Sequence, residues 1–313
     1  MKYCFIINPA AGKGKIATEL SEKIRALCES RGLDFEIYRT TGIGDATEYV
    51  KRTYAKDPEQ SYRFYAGGGD GTLGETASGI MALSDSSRVS LGLFPMGTGN
   101  DFARLFSQKE LLMDPEAQLD ATPVAIDVLR CNDRHAINVV NVGFDCEVVV
   151  KTAGLKRNPL IPSNLAYIAG LVATLVKKPC VDMTISVDGA KEEQRHLLLS
   201  TFANGCFYGG GFHSNPLSRV DDGKIDLVRV EEVTRRKFVS LVGDYKKGTH
   251  IQPKFDPIVK HAKAERVDIR FPRTTNVSFD GEVVPCDELH VEVQKKALTF
   301  LVPKGAELKL SDK

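Results

Sequence analysis

The chain lacks the features by which a sequence most directly signals a disulfide framework, a membrane span or a polyanionic partner. Its seven cysteines (4, 28, 131, 146, 180, 206 and 286) form no CxxC pair and no His/Cys group at zinc spacing, so reduced, buried thiols in a cytosolic protein are expected. No apolar run is long enough to cross a bilayer: LAYIAGLVATLV at 165–176 has 12 residues against the roughly 20 required, and the run from Tyr3 to Ile7 is too short for a signal peptide. A cytoplasmic protein, at most peripheral at the membrane, is expected. Charge of one sign is not in excess either: 42 Lys+Arg face 41 Asp+Glu for a net charge of +1, which excludes a polyanion-binding surface over the whole molecule, and nucleic acid is not an expected partner. The Walker pattern GxxxxGK[ST] is absent, which argues against a P-loop NTPase. The six histidines have no metal-ligand pairing and no GxSxG partner, so hydrolase chemistry lacks support.

What is present is enough chain and apolar content, 313 residues and 42% hydrophobic, for two domains with real cores. Short apolar runs at 3–7, 35–38, 62–66 and 89–94 alternate with helical patterns at 14–31, 45–54 and 72–83. Strand alternating with helix means a parallel sheet with crossovers, an α/β architecture. From about residue 124 the texture becomes β-rich, with runs at 124–130, 135–143, 181–187, 195–204, 224–230, 265–271 and 289–294. Asn132-Asp133, Asp188-Gly189 and Asp280-Gly281 supply tight turns between them, so an antiparallel β-sandwich follows, interrupted by helices near 163–177 and 234–247. The domains are placed at 1–122 and 123–296, and the closing segment 297–313, with the strand candidate LTFLV, can return to the N-terminal domain or join the second.

Three glycine-rich loops, NPAAGKGK (8–15), GGGDGT (67–72) and MGTGND (96–101), each follow an expected strand and precede an expected helix. In a parallel sheet the carboxyl ends of all strands share one edge, where ligands of open α/β sheets bind. Glycines let backbone N–H groups approach a phosphate, and a helix N-terminus adds about half a positive charge. Each loop alone could be an ordinary turn; three on one edge favour a phosphate cradle. The first also fits Gly12-x-Gly14-x-x-Ala17 with Glu36 at the distance of a ribose-binding acid, a permissive dinucleotide pattern that does not account for the other two loops.

NPAAGKGK, GGDGTLGE (68–75), GTGNDFAR (97–104), DDGKIDL (221–227) and FDGE (279–282), in this order across nearly the whole chain, resemble the diacylglycerol kinase catalytic family, to which soluble bacterial lipid kinases and the sphingosine and ceramide kinases are related. The resemblance implies an N-terminal α/β domain similar to NAD kinase and phosphofructokinase, a C-terminal β-sandwich for the lipid acceptor, and an active site in the cleft between. It implies an ATP-dependent lipid kinase, most directly one that converts diacylglycerol to phosphatidic acid. A sphingoid or other lipid alcohol, a soluble metabolite as in NAD kinase, and a nucleotide-binding regulator without turnover stay open as alternatives.

Carried over residue by residue, the resemblance assigns ATP contacts to Asn8, Pro9, Ala10, Ala11 and Gly12, to Gly68, Gly69, Asp70, Gly71, Thr72, Leu73 and Gly74, and to Thr98. Thr40 joins them through its place five residues before Asp45; its alternative is a polar strand end. A carboxylate among phosphates repels them unless a cation intervenes, so Asp70 implies Mg2+, with a helix cap as the alternative. For Asn100 and Asp101 the cap is preferred. FDGE alone reads as a hairpin turn; the resemblance makes it the source of the catalytic base, with Glu282 ranked first and Asp280 second. It also implies a structural Mg2+ held by the Asp222 side chain and the carbonyls of Arg219 and Lys224, with Asp226 bridging back to the loop. The partners expected are ATP, a lipid substrate led by diacylglycerol, a transient peripheral membrane contact, and, as an open alternative, a second copy of the chain in a homodimer; the apolar stretch 158–179 reads first as a core helix of the second domain, with a lipid-receiving groove or membrane-resting surface as the alternative. CFYGGGFHSNP (206–216) either borders the cleft or is a plain tight loop.

Overall fold

The computed structural model describes residues 1–144, 146–148 and 180–310; the helix expected near 163–177 and the apolar stretch 158–179, up to its last residue, lie outside them. The N-terminal half is a parallel sheet in the order β4 (Val89–Pro95), β3 (Tyr62–Gly68), β1 (Lys2–Ile7), β2 (Phe35–Arg39). Its crossovers are α1 (Lys15–Ser30), α2 (Asp45–Tyr54) and α3 (Asp70–Met81). Both faces of this sheet are covered, which is why its strands are continuous apolar runs rather than alternating ones. Along β1, Phe5 and Ile7 pack with Leu20, Ile24 and Cys28 of α1, while Cys4 and Ile6 pack with Tyr49, Val50, Ala77 and Ile80 of α2 and α3. The local sequence supports each helix: α1 starts directly after Gly14, whose φ of +79° disfavours a side chain, and α2 carries Asp45 and Glu48 in its first turn with Lys51 and Arg52 in its last, matching the helix dipole.

After a short α4 (Pro115–Leu119) the chain enters β5 (Thr122–Cys131), β6 (Arg134–Ala136), β7 (Val139–Gly143), β8 (Val181–Val187), β9 (Glu193–Ala203) and β10 (Ile225–Glu231). Then follow α5 (Arg235–Lys247), β11 (Val259–Ala264), β12 (Arg266–Phe279) and β13 (Glu282–Val302). The pairings among β5 to β13 are antiparallel. One core of this half gathers Leu129, Val140, Ile185, Phe202, Leu227, Ile269 and Val291; a second lies under α5, whose Phe238, Leu241 and Tyr245 pack on Val228 and Val230.

Two sequence expectations change. The run 135–143 is two strands, because the N–H groups of Ile137, Asn138 and Val139 turn to the carboxylate of Asp280 instead of continuing a ladder. The runs 289–294 and 298–302 are one strand, β13, with an irregularity between Gln294 and Leu298 where Lys296 takes a φ of +52°. The first part of β13 pairs with β12 and its second part, Val291 to Val302, with β5, while Thr299 and Phe300 also pair in parallel with Ser90 and Leu91 of β4 on the other side. Among the described residues a single thirteen-stranded sheet thus connects both halves.

Candidate active site

The three glycine loops leave the parallel sheet at one edge, where β1, β3 and β4 end at Ile7, Gly68 and Pro95. Asn8 joins the first two loops: its N–H donates to the Gly67 carbonyl at 2.8 Å and its side-chain amide to the Thr72 hydroxyl at 3.3 Å, while its Oδ1 accepts from the Ala10 N–H. Pro9 and Ala10 are exposed, and Ala11 and Gly12 form a 3-10 turn before α1. Thr40 sits on the same edge, its N–H on the Ile7 carbonyl at 3.0 Å, and Asp45 organises the rest of that turn by accepting from Tyr38 and Thr41. The dinucleotide pattern does not carry through: Glu36 lies within β2 opposite Cys4, paired with Lys2.

The second and third loops touch backbone to backbone. A Cβ on Gly97 would fall 2.5 Å from the Gly69 Cα, closer than real contacts permit, so glycine is required for the approach. α3 begins at Asp70 rather than Thr72, with Gly69 as its N-cap, and Gly71, Thr72, Leu73 and Gly74 form its first turn. In front of Gly71 there is open space. Thr98 is exposed in the third loop. That loop is followed by only a 3-10 turn (Phe102–Leu105), not a full helix, and neither Asn100 nor Asp101 caps it. Asn100, at a φ of +49°, closes the loop on itself through Gly97 and Pro95.

Asp70 reaches across instead of capping its own helix: its Oδ1 accepts from the N–H of Asp101 at 2.7 Å and of Phe102 at 3.3 Å. Asp101 is buried; its Oδ2 accepts from the Gly210 N–H at 2.9 Å, and its Oδ1, 3.3 Å from the Arg104 Nε, has no hydrogen-bond donor. The loop 206–216 therefore borders the site. Burial raises both carboxyls above their usual range, opposed at Asp70 by the N–H donors and reinforced at Asp101 by the charge of Asp70.

FDGE is a tight hairpin between β12 and β13, with Asp280 and Gly281 at φ of +48° and +95°. The turn separates its two acids. The Asp280 carboxylate accepts from the N–H groups of Ile137, Asn138 and Val139 at 2.8, 3.1 and 2.8 Å, and its Oδ2 lies 3.9 Å from where a Gly74 Cβ would be. Burial raises it to about 6, against the pull of those three donors and with help from the Asp70 charge. Glu282 is exposed and paired with Arg134 at 3.1 Å. The hairpin thus brings Asp280, not Glu282, to the glycine loops.

The two places for Mg2+ differ in donor chemistry. At the loops, the half-buried Asp70, the buried Asp101 and the donor-less Asp101 Oδ1 suit a hard cation. At the set of Arg219, Asp222 and Lys224, the Asp222 carboxylate pairs with the Lys263 ammonium and accepts the Lys224 N–H at 3.0 Å. Asp226, buried, bonds to Asn215 and His261 rather than back to this loop. What holds the 221–224 turn is Asp127, buried on β5, which accepts from the Gly223 N–H at 2.6 Å and from the Lys296 N–H at 2.7 Å.

A glycine-lined edge, the carboxyls of Asp70 and Asp101 and a third acid delivered by a sandwich hairpin are the parts of a phosphotransfer site. The family models of the diacylglycerol kinase catalytic domain and of the YegS C-terminal NAD kinase β-sandwich-like domain match residues 2–142 and 138–302. A probable YegS-like lipid kinase of Chromohalobacter salexigens is 30% identical over 251 residues, 79% of this chain and 78% of its own. A diacylglycerol kinase of Staphylococcus carnosus is 29% identical over 307 residues, 97% and 96% of the two chains. The crystal structure of a putative diacylglycerol kinase from Bacillus anthracis, at 24% identity, covers 96% of both chains with a TM-score of 0.74 and shares the fold. The protein is a lipid kinase. It belongs to the diacylglycerol kinase catalytic family.

Proposed function

We propose that this kinase transfers the γ-phosphate of ATP to the free hydroxyl of diacylglycerol, giving phosphatidic acid, with Asp280 as the base. The observation that carries the reading is the Asp280 carboxylate, facing the first turn of α3 at Gly74 and raised to about 6, where a base works close to neutral pH. The N–H groups that open α3 and that of Gly12 receive the phosphates, and the Asn8–Thr72 hydrogen bond keeps the two loops in register. The acceptor oxygen bonds to the γ-phosphorus as the β–γ bridging P–O bond breaks; its proton passes to Asp280 and ADP leaves. Asp70 and Asp101 would hold Mg2+, which supplies charge neutralisation on the phosphate oxygens. Among the described residues no helix is long and apolar enough to cross a membrane, so we assign access to the lipid to transient contact with the bilayer surface.

ADP release with ATP and Mg2+ across diacylglycerol, sphingosine, ceramide, undecaprenol and NAD tests the proposal. Turnover on diacylglycerol above the others is expected; turnover on NAD alone, or on none, overturns it. A base raised by burial is protonated and idle below its pKa, so kcat/KM is expected to rise with pH through about 6 and then level. A profile flat from pH 5 to 8 would remove Asp280 from the reaction.

A further inference from the structure

The sequence separates Cys180, His196 and Glu232 too widely for any metal spacing, but the sheet brings them together. Asp182 on β8 pairs directly with His196 on β9, and Cys180 immediately precedes β8, half-buried against the core under α5. On the other flank β10 pairs Glu231 with Leu197, which sets Glu232 beside His196. One ligand atom from each of Cys180, His196 and Glu232 lies within 4.8 Å of the others.

We propose that Cys180, His196 and Glu232 form a zinc site, with Asp182 as the positioning residue for the imidazole. The orientation of His196 is the second observation. Its Nδ1 is 2.6 Å from the Asp182 carboxylate, to which it donates, and its Nε2 is on the side of Glu232, whose Oε2 is 3.9 Å away. A metal-bound histidine commonly donates its other N–H to a carboxylate in this way, which fixes the tautomer and raises ligand basicity. Zinc bonds of about 2.0–2.3 Å put tetrahedral ligand atoms about 3.3–3.7 Å apart, a contraction that side-chain rotation can supply. Thiolate and imidazole select zinc over magnesium, so the site is chemically distinct from the nucleotide pocket. Three protein ligands leave a fourth position for water, and the half-exposed side chains leave it accessible. Binding ties the start of β8, the first described residue after 149–179, to the next two strands.

The test uses the full chain, stripped with a chelator and titrated with Co2+ and then Zn2+. One equivalent of Co2+ is expected to give a near-ultraviolet thiolate charge-transfer band that Zn2+ displaces. Asp182→Asn is expected to weaken Zn2+ binding about 10–100-fold. Cys180→Ser and His196→Gln are expected to lose the band while keeping kinase turnover. Far-UV circular dichroism qualifies each variant, and Glu232→Gln carries the same expectation if Cys180→Ser folds poorly. Absence of a thiolate band, or its survival in folded Cys180→Ser, overturns the site; His196 then only bridges two carboxylates.

Discussion

Asp280→Asn is expected to lower kcat by about 10²–10⁴-fold, the range contributed by a positioned general base. The Michaelis constant for ATP should change little, because the glycine loops are untouched. Glu282→Gln should stay near wild type, since it removes only an exposed ion pair with Arg134, worth about 1 kcal/mol at most. The pair of variants is informative in both directions: collapse of Glu282→Gln with retained Asp280→Asn turnover would reverse the assignment. Asn at 280 keeps one acceptor oxygen and turns an NH2 group toward at least one of the three donors at 137–139, so a modest loss of stability accompanies the loss of activity. A thermal melt separates the two, because the folded fraction can be held constant while kcat is compared.

The largest effect on stability is expected from Asp127→Ala. Its carboxylate is the acceptor for two backbone donors, Gly223 and Lys296, on segments far apart in sequence. The Gly223 donor, left buried without a partner, costs about 1–3 kcal/mol and the half-exposed Lys296 N–H adds less, so Asp127→Ala should lose about 1–4 kcal/mol of the roughly 5–15 that a domain has. Asp127→Asn, which retains one acceptor, should lose less. Urea denaturation reads this as a lower midpoint with an unchanged slope. Equal midpoints for wild type and Asp127→Ala would mean that water replaces the carboxylate.

The parallel half was legible because its periodicity is local: Leu20 and Ile24 on one face of α1 and the apolar run of β1 need no knowledge of distant partners. The choice between Asp280 and Glu282 was not. The rule that residues two apart share a side assumes extended backbone, and the positive φ of Asp280 and Gly281 breaks it. The division between β6 and β7 was hidden for a related reason, since the acceptor that captures those N–H groups is more than 140 positions away. Asp101 looked like a cap because GTGND ends in cap-forming residues, whereas its partner, the Gly210 N–H, comes from the other half of the chain. The Lys263 ammonium against Asp222 was equally hidden, since it comes from 41 positions further along the chain.

The path of β13 bears on how the enzyme can move. With one strand hydrogen-bonded to β12, β5 and β4 in turn, the halves are not beads on a flexible linker, and a free hinge swing would have to tear ladder bonds. The ladder is irregular between Gln294 and Leu298, and there Asp127 accepts the Lys296 N–H and holds the strand. The spacing between Asp280 and the α3 turn is therefore set when the sheet forms, and the lipid hydroxyl must come to a nearly preset gap.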